Sequence, residues 1–144
     1  MNMDARPFRF RPSMRLKSSW EFDEVFRTGR QLRGELVRIC FMRRSGEPTR
    51  VGVAVGKKIA GAVGRAHGRR LLRESTRRLM PWLADGLWLV LSLRERALGE
   101  SAAAIYRDAA VTMERAGLFA DSWNGACWRV DAPCGQRTPS SPSP

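Results

Sequence analysis

The residues able to do chemistry concentrate between Lys57 and Arg78, in the run KKIAGAVGRAHGRRLLRESTRR. Eight Lys or Arg stand there against the single acid Glu74, a net of +7 in a chain whose formal charge is +12. Wound as a helix from about Gly61, at about 100° per residue, Arg65, Arg69, Arg73 and Arg77 form a slowly drifting stripe with Arg70 beside Arg77. Leu71, Leu72, Ser75, Leu79 and the small Gly68 gather on the other side, so one face packs and the other presents guanidinium forks. Like charges one turn apart repel by about a few tenths of a kcal/mol per pair. A polyanion removes that repulsion and gains released counterions. A solvated basic face without a partner is the alternative, but the strand-like lead-in and the charge of the whole chain favour the polyanion.

Elsewhere the chemistry is thin. His67 is the one histidine, and no Ser or Cys set surrounds it in the pattern of a nucleophile and its base. Cys40, Cys127 and Cys134 are an odd number without a metal-ligand spacing, so reduced thiols are expected and a zinc site is not. Glu21, Asp23 and Glu24 cluster near a helix start, where acids oppose the dipole, and no partner carboxylates for metal or acid–base work are in sight. Gly56, Gly61 and Gly64 precede a helix but not in the G-x-x-x-x-G-K-[ST] pattern of a phosphate loop. No catalytic residue and no metal ligand is assigned; the chain reads as a binder.

A length of 144 residues suits one domain that buries its own core, and 43% hydrophobic content allows it. The balance of 26 basic to 14 acidic residues makes a phosphate-rich partner the leading expectation. An anionic membrane is disfavoured, since there is no long apolar run and the basic helix packs with Leu and Gly rather than Trp or Phe. The opening MNMDARPFRFRPSMR lacks the apolar stretch of a signal peptide, so a cytoplasmic location is expected.

These groups must be positioned by a mixed set of elements. Residues 1–13 read as a disordered basic arm. A short helix opens at Ser18 with Glu21 three residues on, a capping box, and Gly29 is its natural stop. Phe22 and Phe26, four apart, share a face, and the residues alone allow either core packing or a binding wall. Leu32–Met42 carries strand signals around Gly34, Ser45–Pro48 a turn, and Val51, Val53 and Val55 alternate with small Gly52 and Ala54. Pro81 ends the basic helix, and Leu87–Leu91 is a continuous apolar run, a strand buried on both faces beside and parallel to Val51–Val55. Ala102, Ile105, Ala109, Met113 and Ala116 recur at helical spacing between an N-cap at Ser101 and a stop at Gly117. Residues 120–144 form a tail, Pro- and Ser-rich and disordered from about 131, with Trp123 and Trp128 unassigned.

The run Gly56-Lys57-Lys58 through Arg65, Arg69-Arg70 and Arg73-Glu74 resembles the protein subunit of bacterial ribonuclease P, which carries S-K-K and then G-x-A-V-x-R-N-x-x-K-R-x-x-R-E. Arg15-Leu16-Lys17, Glu21-Phe22, Val25-Phe26 and Gly29 resemble the family's opening, and the likeness covers roughly residues 14–118. It implies an α+β fold, a two-layer sandwich of order α-β-β-β-α-β-α within residues 14–119, whose βαβ crossover carrying the basic helix is left-handed, against the usual rule.

The resemblance further implies two RNA surfaces. Lys57, Lys58, Arg65, Arg69, Arg70, Arg73 and Arg77 would dock on the ribonuclease P RNA. Phe22 and Phe26, with Arg15 and Lys17, would line a cleft for the single-stranded 5′ leader of precursor tRNA, where aromatic faces stack on bases without sequence preference. Cleavage would be done by the RNA with Mg²⁺ that it mainly binds itself, making the chain an enzyme subunit without catalytic side chains. The chain departs from the family at Ala66 for Asn, Gly56 for Ser, Arg69 for Lys, and Cys40 where an aromatic often stands in the cleft strand. Arg69 keeps the charge and adds a fork, whereas Ala66 removes a polar contact. The rivals are a ribosomal RNA-binding protein using the same helix structurally, and a stand-alone metal nuclease using Glu21, Asp23 or Glu24.

Overall fold

A computed structural model describes residues 12–120; the basic arm up to residue 11 and the tail from 121, with Cys127, Cys134, Trp123 and Trp128, lie outside the described residues. The elements are α1 (Ser19–Thr28), β1 (Arg30–Arg33), β2 (Val37–Arg43), β3 (Arg50–Ala54), α2 (Ala62–Leu79), β4 (Leu87–Leu93) and α3 (Ala102–Arg115). They follow the expected order α-β-β-β-α-β-α.

The four strands make one sheet in the order β1-β2-β4-β3. β4 inserts between β2 and β3, antiparallel to the first and parallel to the second, so α2 is the crossover between two parallel neighbours. That position explains the unbroken apolar run of β4. Its odd residues Leu87, Leu89, Leu91 and Leu93 point into the larger core with Val37, Ile39 and Val51, under Leu72 and Leu79 of α2 and Ile105, Tyr106 and Met113 of α3. Trp88 and Val90 point the other way, to a smaller core with Cys40, Leu16 and Val25 of α1. Sheet and α2–α3 pair form the two-layer sandwich, and α1 lies over part of the opposite face. Full burial of each large aliphatic contributes about 1.5–3 kcal/mol.

Local chemistry sets the joints. Ser101 Oγ accepts from the Ala104 N–H at 3.1 Å and starts α3, as its position suggests. Gly68 brings α2 close to the sheet, where an added Cβ would sit 2.9 Å from a Leu93 methyl. Gly29 ends α1, but not through the left-handed conformation of a C′ glycine: its backbone is extended (φ −82°, ψ 172°). A glycine is required because a Cβ would lie 2.5 Å from the Val25 carbonyl oxygen and 2.6 Å from that of Phe41. Gly34 lies in the β1–β2 turn rather than inside a strand, hard against Asp108 and Thr112 of α3. Asp108 accepts the backbone N–H groups of Glu35, Leu36 and Val37 at 3.0, 2.8 and 3.0 Å and so anchors this hairpin to α3.

Candidate nucleic-acid interface

α2 divides as its spacing requires. Gly68, Leu72, Ser75, Thr76 and Leu79 are buried, Arg70 and Arg73 are exposed, and Arg65, Arg69, Arg77 and Arg78 are partly covered, Arg78 with only 12% of its side chain exposed. The arginines are not equivalent. Arg77 donates through Nε to Glu74 Oε1 at 3.1 Å, and Arg78 through Nε to Glu74 Oε2 at 3.3 Å. The hydrogen bond from Arg77 holds the Glu74 carboxyl below its ordinary range, although partial burial works against it. Arg65 Nη1 donates to the Ala60 carbonyl at 3.0 Å and staples the preceding loop to the helix. The side chains of Arg69, Arg70 and Arg73 make no hydrogen bond or ion pair among the described residues. Lys57 and Lys58 are exposed on the loop between β3 and α2. Spacing alone could not separate these classes, because it does not say which guanidinium Glu74 reaches.

Arg15 joins this surface. It sits at the outer edge of β3, bridged to Val51, and with Arg70, Arg73, Glu74 and Arg77 it lines an open pocket of about 410 Å³. The structure therefore places Arg15 beside the α2 stripe, while Lys17 is exposed just ahead of α1.

The second candidate surface lies on the α1 side of the sheet. Glu21 is buried: Oε1 accepts the Lys17 and Ser18 N–H groups at 2.7 and 3.0 Å, and Oε2 accepts Arg50 Nη1 at 2.8 Å. Burial pushes this carboxyl up, but the two backbone N–H groups and Arg50 outweigh it and the net direction is down. Phe22 rests on the sheet where only a glycine fits, since a Cβ on Gly52 would lie 2.5 Å from its ring. Phe26, one turn on, is 47% exposed. Thus Phe22 packs against the smaller core while staying partly exposed, and Phe26 stands half in solvent. Cys40, where the family often has an aromatic, is buried beneath α1 with Sγ 3.6 Å from the Val25 carbonyl, and burial raises its pKa, so it offers neither a ring nor a thiolate.

Three carboxylates on α1 and α2 are already engaged. Glu21 is occupied by two N–H groups and a guanidinium, Glu24 by Arg27 at 3.2 Å, and Glu74 by Arg77 and Arg78. Among the described residues no group of three or more His, Cys, Asp or Glu comes together.

The sequence model of the family described as Ribonuclease P matches residues 10–117. The chain belongs to the ribonuclease P protein family. The ribonuclease P protein component of Symbiobacterium thermophilum is 36% identical over 106 residues, covering 73% of this chain and 92% of that protein. That of Lactiplantibacillus plantarum is 35% identical over 94 residues, covering 65% and 82%. Among solved structures, the Staphylococcus aureus RNase P protein superposes with a TM-score of 0.65 at 18% identity, over 74% of this chain and 98% of that one. The Thermotoga maritima RNase P protein gives 0.62 at 23% identity, over 70% and 96%. These structures carry the same α+β fold. As a ribonuclease P protein the chain is the protein component of a bacterial tRNA-processing endonuclease and works with the ribonuclease P RNA. Among the described residues no helix is long and apolar enough to cross a membrane.

Proposed function

We propose that the chain binds the ribonuclease P RNA through the outer face of α2 and holds the 5′ leader of precursor tRNA against Phe22 and Phe26, while the RNA performs the Mg²⁺-dependent cleavage in the cytoplasm. The observation that carries the first half is the division of α2. Leu72 and Leu79 are buried in the core with Leu71 packed against it, whereas the side chains of Arg69, Arg70 and Arg73 have no partner among the described residues. Lys57 and Lys58 precede them, Arg65 holds the intervening loop, and Arg15 and Arg77 extend the surface. Guanidinium forks borne on one helix face reach phosphates with bidentate geometry and release counterions on doing so.

The second half is supported by Phe26, an aromatic ring left half in solvent beside a partly exposed Phe22. Stacking of an unpaired base on such a ring is worth about 1–3 kcal/mol and ignores sequence, which suits a leader of variable composition. Lys17, at the head of α1, adds charge to that wall. Mg²⁺ finds no suitable carboxylate set among the described residues, and no step is assigned to it on this chain. Glu21 has the structural role of capping α1 and holding Arg50, against its use as a nuclease ligand.

The test is reconstitution. Full-length protein and its RNA subunit should cleave leader-bearing precursor tRNA, and protein alone should not. Replacing Arg69, Arg70 and Arg73 together by Gln should weaken assembly without unfolding the protein. Cleavage by protein alone, lost in Asp23→Ala or Glu24→Ala, would establish the nuclease reading. Tight binding to ribosomal RNA with no effect on tRNA processing would establish the ribosomal one.

A further inference from the structure

Three rows of side chains cross the α1 side of the sheet. The first is Arg50–Trp88–Met42, the second Gly52–Val90–Cys40–Gln31, and the third Ala54–Ser92–Arg38–Arg33. α1 lies over the first two. Glu21 reaches Arg50, Thr28 reaches Met42, and Val25 sits above Cys40. At about 100° per residue, Phe22 and Phe26 project from the flank of α1 opposite to Glu21 and Thr28, which is the flank toward the third row.

That row is unusual. Arg33 and Arg38 are direct cross-strand partners, both exposed, and neither side chain makes a hydrogen bond or ion pair among the described residues. Directly opposed side chains on a sheet have Cβ atoms about 4.5–5.5 Å apart, and like charges so placed are destabilising. The neighbouring acids do not neutralise them: Glu35 pairs with Arg96 at 3.0 Å, and Asp108 is engaged by three backbone N–H groups of the hairpin. The rest of the row, Ser92 and Ala54, is small and leaves a low floor between the phenylalanines and the arginines.

We infer that Arg33 and Arg38 form a phosphate clamp for the RNA strand that stacks on Phe22 and Phe26. This rests on the leader-cleft reading and deepens it: the rings hold bases at α1, and the paired guanidinium groups hold the backbone at the β1–β2 edge. A phosphate between them removes the repulsion built into the empty pair and accepts from both forks. The strand so defined crosses the sheet alongside α1, from β3 toward the β1–β2 edge.

The experiment uses holoenzyme reconstituted with wild-type protein, R33Q/R38Q, R33K/R38K and F26A. Each is measured for affinity to precursor tRNA with a leader and to mature tRNA, across a salt series. In R33Q/R38Q, leader-bearing substrate should bind roughly tenfold more weakly, mature tRNA should bind as to wild type, and the salt slope should shrink by about 0.7 per lost phosphate contact. The Lys pair should keep most of the slope. The melting temperature of the free R33Q/R38Q protein should be equal or higher, because a repulsion has been removed. A leader made neutral at single phosphates should lose affinity at one position with wild type and not with R33Q/R38Q. Unchanged leader affinity in R33Q/R38Q while F26A loses it would overturn the clamp and leave the cleft standing. No leader-specific loss in either variant would overturn both. Equal losses for the two substrates, meaning contact with the ribozyme or the tRNA body, or a lowered melting temperature, would also overturn the clamp.

Discussion

Arg50 on β3 and Glu21 on α1 meet at 2.8 Å, and the same carboxylate caps the helix through the Lys17 and Ser18 N–H groups. One buried side chain thereby starts α1 and fixes it to the sheet, and the placement of Phe22 and Phe26 depends on that seat.

Glu21→Gln should cost about 1–3 kcal/mol at neutral pH, since it weakens a buried, charge-assisted network. The folded pKa of Glu21 lies below its unfolded value. Its contribution is therefore complete above the unfolded value and is lost as pH falls through the folded one. Urea midpoints measured from about pH 6 to about pH 3 should fall more steeply for wild type than for E21Q.

Gly29→Ala should destabilise by about 1–3 kcal/mol or more, because both atoms that its Cβ meets are backbone carbonyl oxygens, of Val25 and Phe41. Gly99→Ala, with nothing within 4 Å, is the control and should stay within about 0.5 kcal/mol of wild type. Thermal melts of the free proteins check both.

Asp108→Ala leaves three hairpin N–H groups without their carboxylate and should cost about 1.5–3 kcal/mol. Amide hydrogen exchange should report it first at Glu35, Leu36 and Val37, ahead of the β4 core.

The two phenylalanines should part company. Phe26→Ala should weaken leader-bearing precursor tRNA by about 1–3 kcal/mol and leave mature tRNA binding and the melting temperature unchanged. Phe22→Ala should lower both leader affinity and stability, because its ring also packs on Gly52 and the second core. Equal loss for both substrates with Phe26→Ala would remove the leader from that wall.

Much of this was legible in the chain. The alternation Val51–Val55, the apolar Leu87–Leu91 and the two-sided pattern of Leu72 and Arg73 each encode their own surroundings, so sheet, parallel neighbour and basic face could be read directly. What could not be read depends on residues far apart. Gly29 looked like a helix stop, but its need is set by Phe41 on a neighbouring strand. Gly34 and Asp108 meet only once α3 returns to the hairpin, 73 residues after Glu35. The resemblance implies a place for Arg15 beside the phenylalanines, whereas its bridge to β3 sets it next to α2, a contact between residues far apart in the chain. Arg33 and Arg38 are made neighbours by strand register, which composition does not encode.

The most direct test is to titrate the full-length protein against its ribonuclease P RNA and against a random RNA of the same length and composition, at moderate ionic strength, beside the Arg69/Arg70/Arg73→Gln variant. Docking through α2 predicts at least about tenfold tighter binding to the ribonuclease P RNA, a preference that the variant loses together with part of its salt slope. Equal affinity of the wild-type protein for the two RNAs would contradict it.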